Sequence, residues 1–156
     1  MQKITPFFWF NNNAEEAIGF YSSIFKNAKT LSVTRYGEGG PAPKGTLMSA
    51  TFELEGQTFM ALNGGPQFSF TPAVSLFVNC ETQDEVDELW EKLNEGGKPG
   101  RCGWLEDKYG MSWQIIPSIL GKLMQDKDAR KAKNVMEAMF QMDKIDINAL
   151  KMAYEK

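Results

Sequence analysis

An internal repeat constrains the fold of this chain more than any other feature of its sequence. Two amphipathic helices are predicted, one after the cap Asn13 in NAEEAIGFYSSIF and one after the cap Thr82 in TQDEVDELWEKLNEGG. Placing Asn13 on Thr82 superimposes the acidic first turns and the apolar faces without a gap, and it brings ITPFFWF onto AVSLFVN. Because both stretches have the pattern of a strand followed by a capped helix, we interpret the sequence as two copies of one unit.

Strand patterns follow each predicted helix. The predicted strands after the first helix cover residues 30–36, 46–55 and 57–62, and those after the second lie around 101–105 and 111–117. Glu55-Gly56 joins the second and third of these strands as a tight turn. The sequence therefore predicts tandem β-α-β-β-β units.

A helical tail is predicted after the two units. We divide the chain as one domain of residues 1–156, made of a first repeat unit 1–68, a second repeat unit 69–119 and a C-terminal tail 120–156. Tail helices are predicted at 126–142 and 147–154. The apolar face of the longer helix carries Ala132, Val135, Met136, Met139 and Met142. Such a face is typical of core or dimer packing, and an adaptable methionine-rich binding surface is the alternative.

The composition excludes several classes of function. The 156 residues include no histidine, so the commonest general base and the commonest transition-metal ligand are both missing. The net charge is -3, with no clustered basic face of the kind that binds phosphates. We therefore expect no nucleic-acid partner.

The location is predicted from what the chain lacks and from its cysteines. No apolar run approaches the roughly 20 residues that span a bilayer, so no membrane partner is expected. The opening MQKITPFFWF is predicted to be a strand and not a signal peptide. Cys80 and Cys102 lie in dissimilar contexts, which favours reduced thiols over a disulfide. These features predict a cytoplasmic protein.

Several stretches carry a family resemblance. WFNNNAEEAIGFY, FMALNGGP, LFVNCETQDEVDELWEKL and CGWLEDKYGMSWQIIPSIL resemble the PhnB-like branch of the vicinal oxygen chelate superfamily, which has the glyoxalase and bleomycin-resistance fold. The resemblance extends through the tail VMEAMFQMDKIDINAL. It implies an α+β fold in which tandem βαβββ units form curved mixed sheets around a concave site, with C-terminal helices. Because members commonly pair or swap units, it also implies a homodimer.

The same resemblance locates the positions where metal-dependent members carry their ligands. Here those positions fall on Pro6, Ala61, Ser75 and Gln114. One amide and one hydroxyl cannot supply the three or more strong donors that a divalent cation needs. We therefore expect no metal site and no cofactor.

Strand alternation extends these four positions to a predicted ligand-binding face. The side chains expected on it are Phe8, Phe10, Phe59, Ala61, Asn63, Ser75, Phe77, Asn79, Gln114 and Ile116. The opposite parity is expected to pack beneath the helices, with Phe7, Trp9, Leu62, Leu76, Val78, Trp113 and Ile115. An aromatic face with a few uncharged polar groups predicts a metal-independent protein that binds a small, planar or apolar molecule. The alternative is that these side chains are ordinary core and that Gln114 bonds to Asn63 or Ser75.

The sequence also contains residues that would suit other functions. A glyoxalase-like or dioxygenase-like lyase or isomerase would need a divalent metal at a non-standard site such as Glu53, Glu106 or Asp107. A reactive thiol at Cys80 or Cys102 is possible beside a helix start or an arginine, but an unreactive thiol is favoured. Arg35 and Arg101 could place a cation at the mouth of a cavity, although both are expected at the surface.

Two glycine clusters bear on a methyltransferase label that proteins of this branch often carry. GEGGPA, at 37–42, matches a cofactor-binding pattern by letter, but Pro41 and Pro43 prevent the helix that would hold a phosphate. LNGGP, at 62–66, is predicted to be a turn after a strand. The sequence therefore does not predict a nucleotide or S-adenosylmethionine site.

Overall fold

The computed structural model describes residues 2–156 as two compact units, one ending at Ser69 and the other spanning Phe70–Lys156. Each unit contains one four-stranded mixed sheet. The tandem α+β architecture predicted from the repeat is confirmed.

The first unit follows the predicted order of elements. It consists of β1 (Phe7–Phe10), α1 (Ala14–Ile24), β2 (Ala28–Arg35), β3 (Leu47–Leu54) and β4 (Gln57–Asn63). The strand order is β1-β4-β3-β2, with β1 parallel to β4 and the other neighbours antiparallel. Glu55 and Gly56 have φ values of 48° and 83°, so the tight turn falls where their sequence predicts it.

The second unit repeats this topology with shorter strands. It begins with β5 (Ser75–Cys80), α2 (Gln83–Leu93), β6 (Lys98–Pro99), β7 (Trp104–Glu106) and β8 (Ser112–Pro117). The strand order is β5-β8-β7-β6, and β5 is parallel to β8. The order and the strand directions therefore match those of the first unit position by position.

Each unit packs its helix against one face of its own sheet. The buried side chains of α1 include Ala17, Ile18 and Tyr21, and α1 contacts β2, β3 and β4. Val86, Leu89 and Leu93 of α2 are buried in the same way, and α2 contacts β5, β7 and β8. The two helices obey the apolar periodicity that predicted them.

The two helix starts differ in how they are capped. Thr82 caps α2 as predicted, because its hydroxyl oxygen accepts from the Glu85 amide at 3.2 Å. Asn13 occupies the cap position of α1, but its side chain makes no cap hydrogen bond. The side-chain oxygen of Asn63, at the end of β4, accepts from the Ala14 amide at 2.9 Å instead. The first helix is thus capped from the sheet.

Three helices form the C-terminal part of the second unit: α3 (Ser118–Met124), α4 (Ala129–Phe140) and α5 (Ile147–Glu155). The sequence patterns did not predict α3, because seven residues with a glycine in the middle give no clear helical period. The buried side chains of these helices form a core with Ile116 of β8; they are Leu120, Val135, Ile145 and Leu150. Within residues 2–156, no helix combines the length and the apolar character needed to cross a membrane.

Candidate functional site

The second sheet has one face covered by α2 and one that faces away from it. Leu105, Trp113 and Ile115 are nearly inaccessible to solvent on the α2 side. The strand register puts Ser75, Phe77 and Asn79 of β5 beside Ser112, Gln114 and Ile116 of β8, on the other face. Phe77 remains 54% exposed on this face.

A cavity of about 310 Å³ opens on this second face. The sheet and the loop before β7 contribute Phe77, Asn79, Cys102, Trp104, Gln114 and Ile116 to its lining. The segment after β8 contributes Pro117, Ser118, Leu120, Gly121, Met124 and Met139. None of these lining side chains is formally charged, so the cavity suits an uncharged ligand.

Gln114 is the polar centre of the cavity. It pairs in register with Phe77 on one side and with Trp104 on the other, so its amide lies between two aromatic side chains. Its Nε2 donates to the Ser75 hydroxyl at 2.9 Å. The side-chain oxygen makes no hydrogen bond within residues 2–156 and is available to a ligand, as is the Asn79 amide. This hydrogen bond orients the Gln114 side chain, and Ser75 itself does not line the cavity.

The face predicted for the first unit is wrong. Phe8, Phe10, Phe59 and Ala61 are each at most 6% exposed, whereas Phe7, which was expected beneath the helix, is 49% exposed. Phe59 stacks between Phe8 and Phe52, at ring-centroid distances of 5.3 and 5.5 Å. These side chains form the core beneath α1. Asn63 is on the same face. Its side-chain oxygen accepts from the Ala14 amide, and its side-chain nitrogen donates to the Leu47 carbonyl at 3.1 Å.

The physical reason is the length of one connection. Asn11–Asn13 separate β1 from α1, but only Glu81 and Thr82 separate β5 from α2. Because side chains alternate along a strand, one extra residue before the helix reverses which parity faces the helix. The helices superimpose without a gap, while the strands before them do not.

Trp104 is the residue of the site that sequence reasoning missed. It is half-buried, lines the cavity and lies opposite Gln114 in the antiparallel pair of β7 and β8. Pairing the two predicted strands through EDKYG would have found it, because cross-strand neighbours share a face. Met124, on the unpredicted helix α3, gave no such signal.

The residues predicted at the superfamily's metal positions do not fit a metal. Pro6 and Ala61 have no donor side chain, and Gln114 and Ser75 bond to each other. The carboxylate of Asp107 holds the turn before β8, accepting from the Tyr109 amide at 2.8 Å and the Trp113 indole at 2.8 Å. Glu53 lies 3.7 Å from Lys29. Within residues 2–156 no three acidic or cysteine side chains converge on a point where an ion could bind.

The two thiols have different environments and neither is in a disulfide. Burial, and then the carboxylates of Glu85 and Glu81, raises the pKa of the Cys80 thiol to about 12, which makes it a poor nucleophile at neutral pH. Cys102 lines the cavity and has a left-handed backbone with φ of 57°.

The two arginines considered for the cavity mouth are both engaged. Arg35 pairs with Glu15 and donates to the Gly45 carbonyl at 3.1 Å. Arg101 donates to Asp143 at 3.1 Å and to the Phe140 carbonyl at 2.8 Å. Each guanidinium therefore has a structural partner.

The glycine clusters provide no cofactor site. The 37–42 segment is part of the loop between β2 and β3, and no helix follows it. Gly64 allows the Trp9 ring to pack on the chain, since a Cβ at this position would lie 2.3 Å from that ring. The turns that lead from β1 to α1 and from β5 to α2 contain no glycine. These residues do not fit a dinucleotide or S-adenosylmethionine, whose phosphate or carboxylate groups need close backbone approach.

Comparison with known proteins gives the family. The family described as 3-demethylubiquinone-9 3-methyltransferase matches residues 2–116. The PhnB protein from Bacillus cereus is 43% identical, with a TM-score of 0.71, over 75% of this chain and 100% of that one. The chain belongs to this PhnB-like family. No curated protein sequence matches it.

More distant structures show the fold alone. A Pseudomonas aeruginosa protein is 21% identical, with a TM-score of 0.63, over 75% of this chain and 98% of that one. The fosfomycin resistance protein FosX from Listeria monocytogenes, in complex with Mn(II) and sulfate, is 15% identical, with a TM-score of 0.51. It is matched over 72% of this chain and 89% of its own length. The PhnB-like chain thus has the fold of the vicinal oxygen chelate superfamily, as the sequence resemblance implied.

Proposed function

We propose that this PhnB-like protein binds a small, uncharged and largely apolar molecule, without a metal or other cofactor, in the cavity of its second unit. One observation carries the proposal: the Gln114 amide lies between Phe77 and Trp104, with hydrogen-bonding groups still available, in a cavity with no charged lining residue. A volume of about 310 Å³ is at the low end of ligand pockets, so the ligand is small. Aromatic side chains on both sides of an amide favour a planar molecule that carries one hydrogen-bonding edge.

Benzamide and 2-naphthamide are suitable probes, because each is planar, uncharged and ends in an amide. We expect both to shift the side-chain signals of Gln114 and Trp104 in two-dimensional NMR titrations of ¹⁵N-labelled protein. Gln114→Leu should weaken binding about fivefold, which corresponds to one net hydrogen bond of ~1 kcal/mol. Met152→Ala, at a position that is 69% exposed on α5, should leave the affinity unchanged. If neither probe nor a wider thermal-shift screen of planar compounds gives a site-specific signal, the proposal is wrong.

The family description raises methyl transfer as a competing activity. This chain offers no residues that fit a methyl donor, so we expect calorimetric titration with S-adenosylmethionine to give no binding heat. The alternative of a metal-dependent lyase or isomerase is tested by elemental analysis of protein purified without chelators. Stoichiometric Zn, Ni, Fe or Mn would reverse the ranking in favour of an enzyme.

We further propose a homodimer in the cytoplasm. The first sheet supports pairing, since within residues 2–156 no strand covers the outer edge of β2, and Leu31 of that strand is 47% exposed. Free Cys80 and Cys102 are consistent with a reducing compartment. Sedimentation that shows only a 17.6 kDa species would contradict the dimer.

A further inference from the structure

The C-terminal tail, taken from here on as residues 117–156 because α3 begins at Ser118, follows the residues that match the family. The family match ends at residue 116, and the Bacillus cereus relative is covered completely by 75% of this chain. Even so, the tail provides half of the cavity lining, including Ser118, Leu120, Met124 and Met139. Residues beyond the family match therefore form one wall of the candidate site.

The tail is attached to the loop that precedes β7. The Cys102 amide donates to the Met142 carbonyl at 2.8 Å, and the Gly103 amide donates to the Asp143 carbonyl at 2.7 Å. A Cβ at Gly103 would lie 2.7 Å from Ile116 and 3.2 Å from Ile145, so glycine is needed for this close approach. Cys102 and Gly103, which lie within the residues that match the family, thus bind the tail through their backbone amides.

A second attachment comes from the first residue of α2. The side-chain Nε2 of Gln83 donates to the Ile145 carbonyl at 3.0 Å, and the side-chain Oε1 of Gln83 accepts from the backbone amide of Ile147 at 2.8 Å. One side chain therefore satisfies two backbone groups of the tail at once. Lys144 adds an ion pair with Asp87 at 2.8 Å. The connection between α4 and α5 is fixed from two sides.

The hydrophobic core of the tail, called the tail core below, holds side chains that line the cavity. Ile116 packs with the buried tail residues Leu120, Val135, Ile145 and Leu150, which fixes the tail over the same sheet face that carries Gln114. Met124 and Met139 are only partly buried against this core and also line the cavity. Methionine is unbranched and adaptable, so these two side chains form a wall that adjusts to ligand shape.

We propose that the tail is the specificity element of this protein: it covers the open face of the second sheet, and Met124 and Met139 limit the size of the ligand. This inference rests on the proposed function. The second sheet provides the amide and the aromatic side chains that hold the ligand. The tail decides how large the ligand can be.

A graded series of probes tests the size limit. Benzamide, 2-naphthamide and 2-anthracenecarboxamide carry the same amide on one, two and three fused rings. We expect Met124→Ala and Met139→Ala to improve binding of the three-ring probe relative to benzamide by about tenfold, the scale on which pockets discriminate small volume changes. Met142→Ala is the matched control, because Met142 packs on the same tail core but does not line the cavity. It should leave the ratio unchanged.

Thiol labelling tests, without any ligand, whether the tail covers the cavity. Cys102 lies in the cavity beneath the tail, while Cys80 is buried and unreactive, so labelling by 5,5′-dithiobis(2-nitrobenzoate) reports on Cys102; Cys102→Ser gives the blank. Gln83→Leu removes both side-chain hydrogen bonds to the tail. We expect it to raise the labelling rate about fivefold or more, because each lost bond favours local opening. An unchanged rate would overturn the claim that the tail covers the site.

The outcomes separate the two proposals. If Gln114→Leu weakens probe binding while Met124→Ala and Met139→Ala behave like Met142→Ala, the tail inference is wrong and the proposed function stands. If neither the probes nor any compound of the wider screen binds the wild-type protein, both the proposed function and the size limit are wrong. If the methionine variants change the size preference and Gln83→Leu exposes Cys102, both are supported.

Discussion

The two units of this protein share a strand order and a helix, yet residues that the gapless repeat alignment pairs lie on opposite faces of the two sheets. Phe8 and Phe77 superimpose when the repeat is aligned, but Phe8 is 6% exposed and Phe77 is 54% exposed. In the first unit this parity forms the core beneath α1, and in the second unit it lines a cavity. The connection before α1 is one residue longer than the one before α2, so counted from the ends of the strands it is Phe7, 49% exposed, that corresponds to Phe77.

The largest test of this comparison replaces the two aligned phenylalanines. Phe8→Ala should lower the free energy of unfolding by about 3 to 5 kcal/mol, because it leaves a void in a packed aromatic core. Phe77→Ala should lower it by less than about 1 kcal/mol, because this ring is largely exposed. Urea denaturation followed by circular dichroism measures both. Equal losses would show that the two faces are not used differently.

A pair of glycines sharpens the comparison. Gly64→Ala in the first unit should lower the free energy of unfolding by about 2 to 3 kcal/mol, because its Cβ overlaps the Trp9 ring. Gly121→Ala in α3 meets open space and should raise it by up to about 1 kcal/mol through helix propensity. Thermal unfolding of both variants checks the signs. A neutral Gly64→Ala would mean that Trp9 moves away without cost.

Two asparagines, Asn63 on the helix-covered face of the first sheet and Asn79 on the cavity face of the second, give a smaller contrast. Asn63→Ala removes the cap of α1 and a hydrogen bond to the Leu47 carbonyl, so we expect a loss of about 1 to 2 kcal/mol. Asn79→Ala should change stability by no more than about 0.5 kcal/mol, because its exposed side-chain amide makes no hydrogen bond within residues 2–156. Hydrogen exchange at the first turn of α1 should rise only for Asn63→Ala. Unchanged exchange there would argue against the cap.

The smallest effect concerns the pH dependence of the second unit. A hydrogen bond from Lys144, and then one from Gln83, holds the pKa of Asp87 below its ordinary value of 3.8. The pKa of Asp87 is lower in the folded protein than in the unfolded chain. The ionised carboxylate therefore stabilises the fold above pH 3.8, and this stabilisation is lost as the pH falls through the pKa of the folded protein. Asp87→Asn should therefore be less stable than wild type at pH 7, and the two should converge in acid. A constant difference across pH would contradict this account.

Much of the fold was predictable from local patterns. Thr82, the acidic first turns and the apolar periodicity identified both helices within a residue or two, because caps and amphipathic faces act over short distances. Glu55-Gly56 located a hairpin for the same reason. Helix α3 escaped prediction, since its stability comes from packing Leu120 against Val135 and Leu150 and not from its own period.

The sequence by itself determined the repeat, the α+β class and the absence of histidine chemistry, all of which follow from residue type and spacing. Only the tertiary structure decided that Phe8 faces a core and Phe77 faces a cavity. It also decided that Asn63, at the end of β4, caps α1, and that residues of the tail line the cavity. The physical reason is that a face is defined relative to what covers it. Alternation along a strand fixes which side chains share a face, but the length of a connection and the packing of distant helices decide which face is buried.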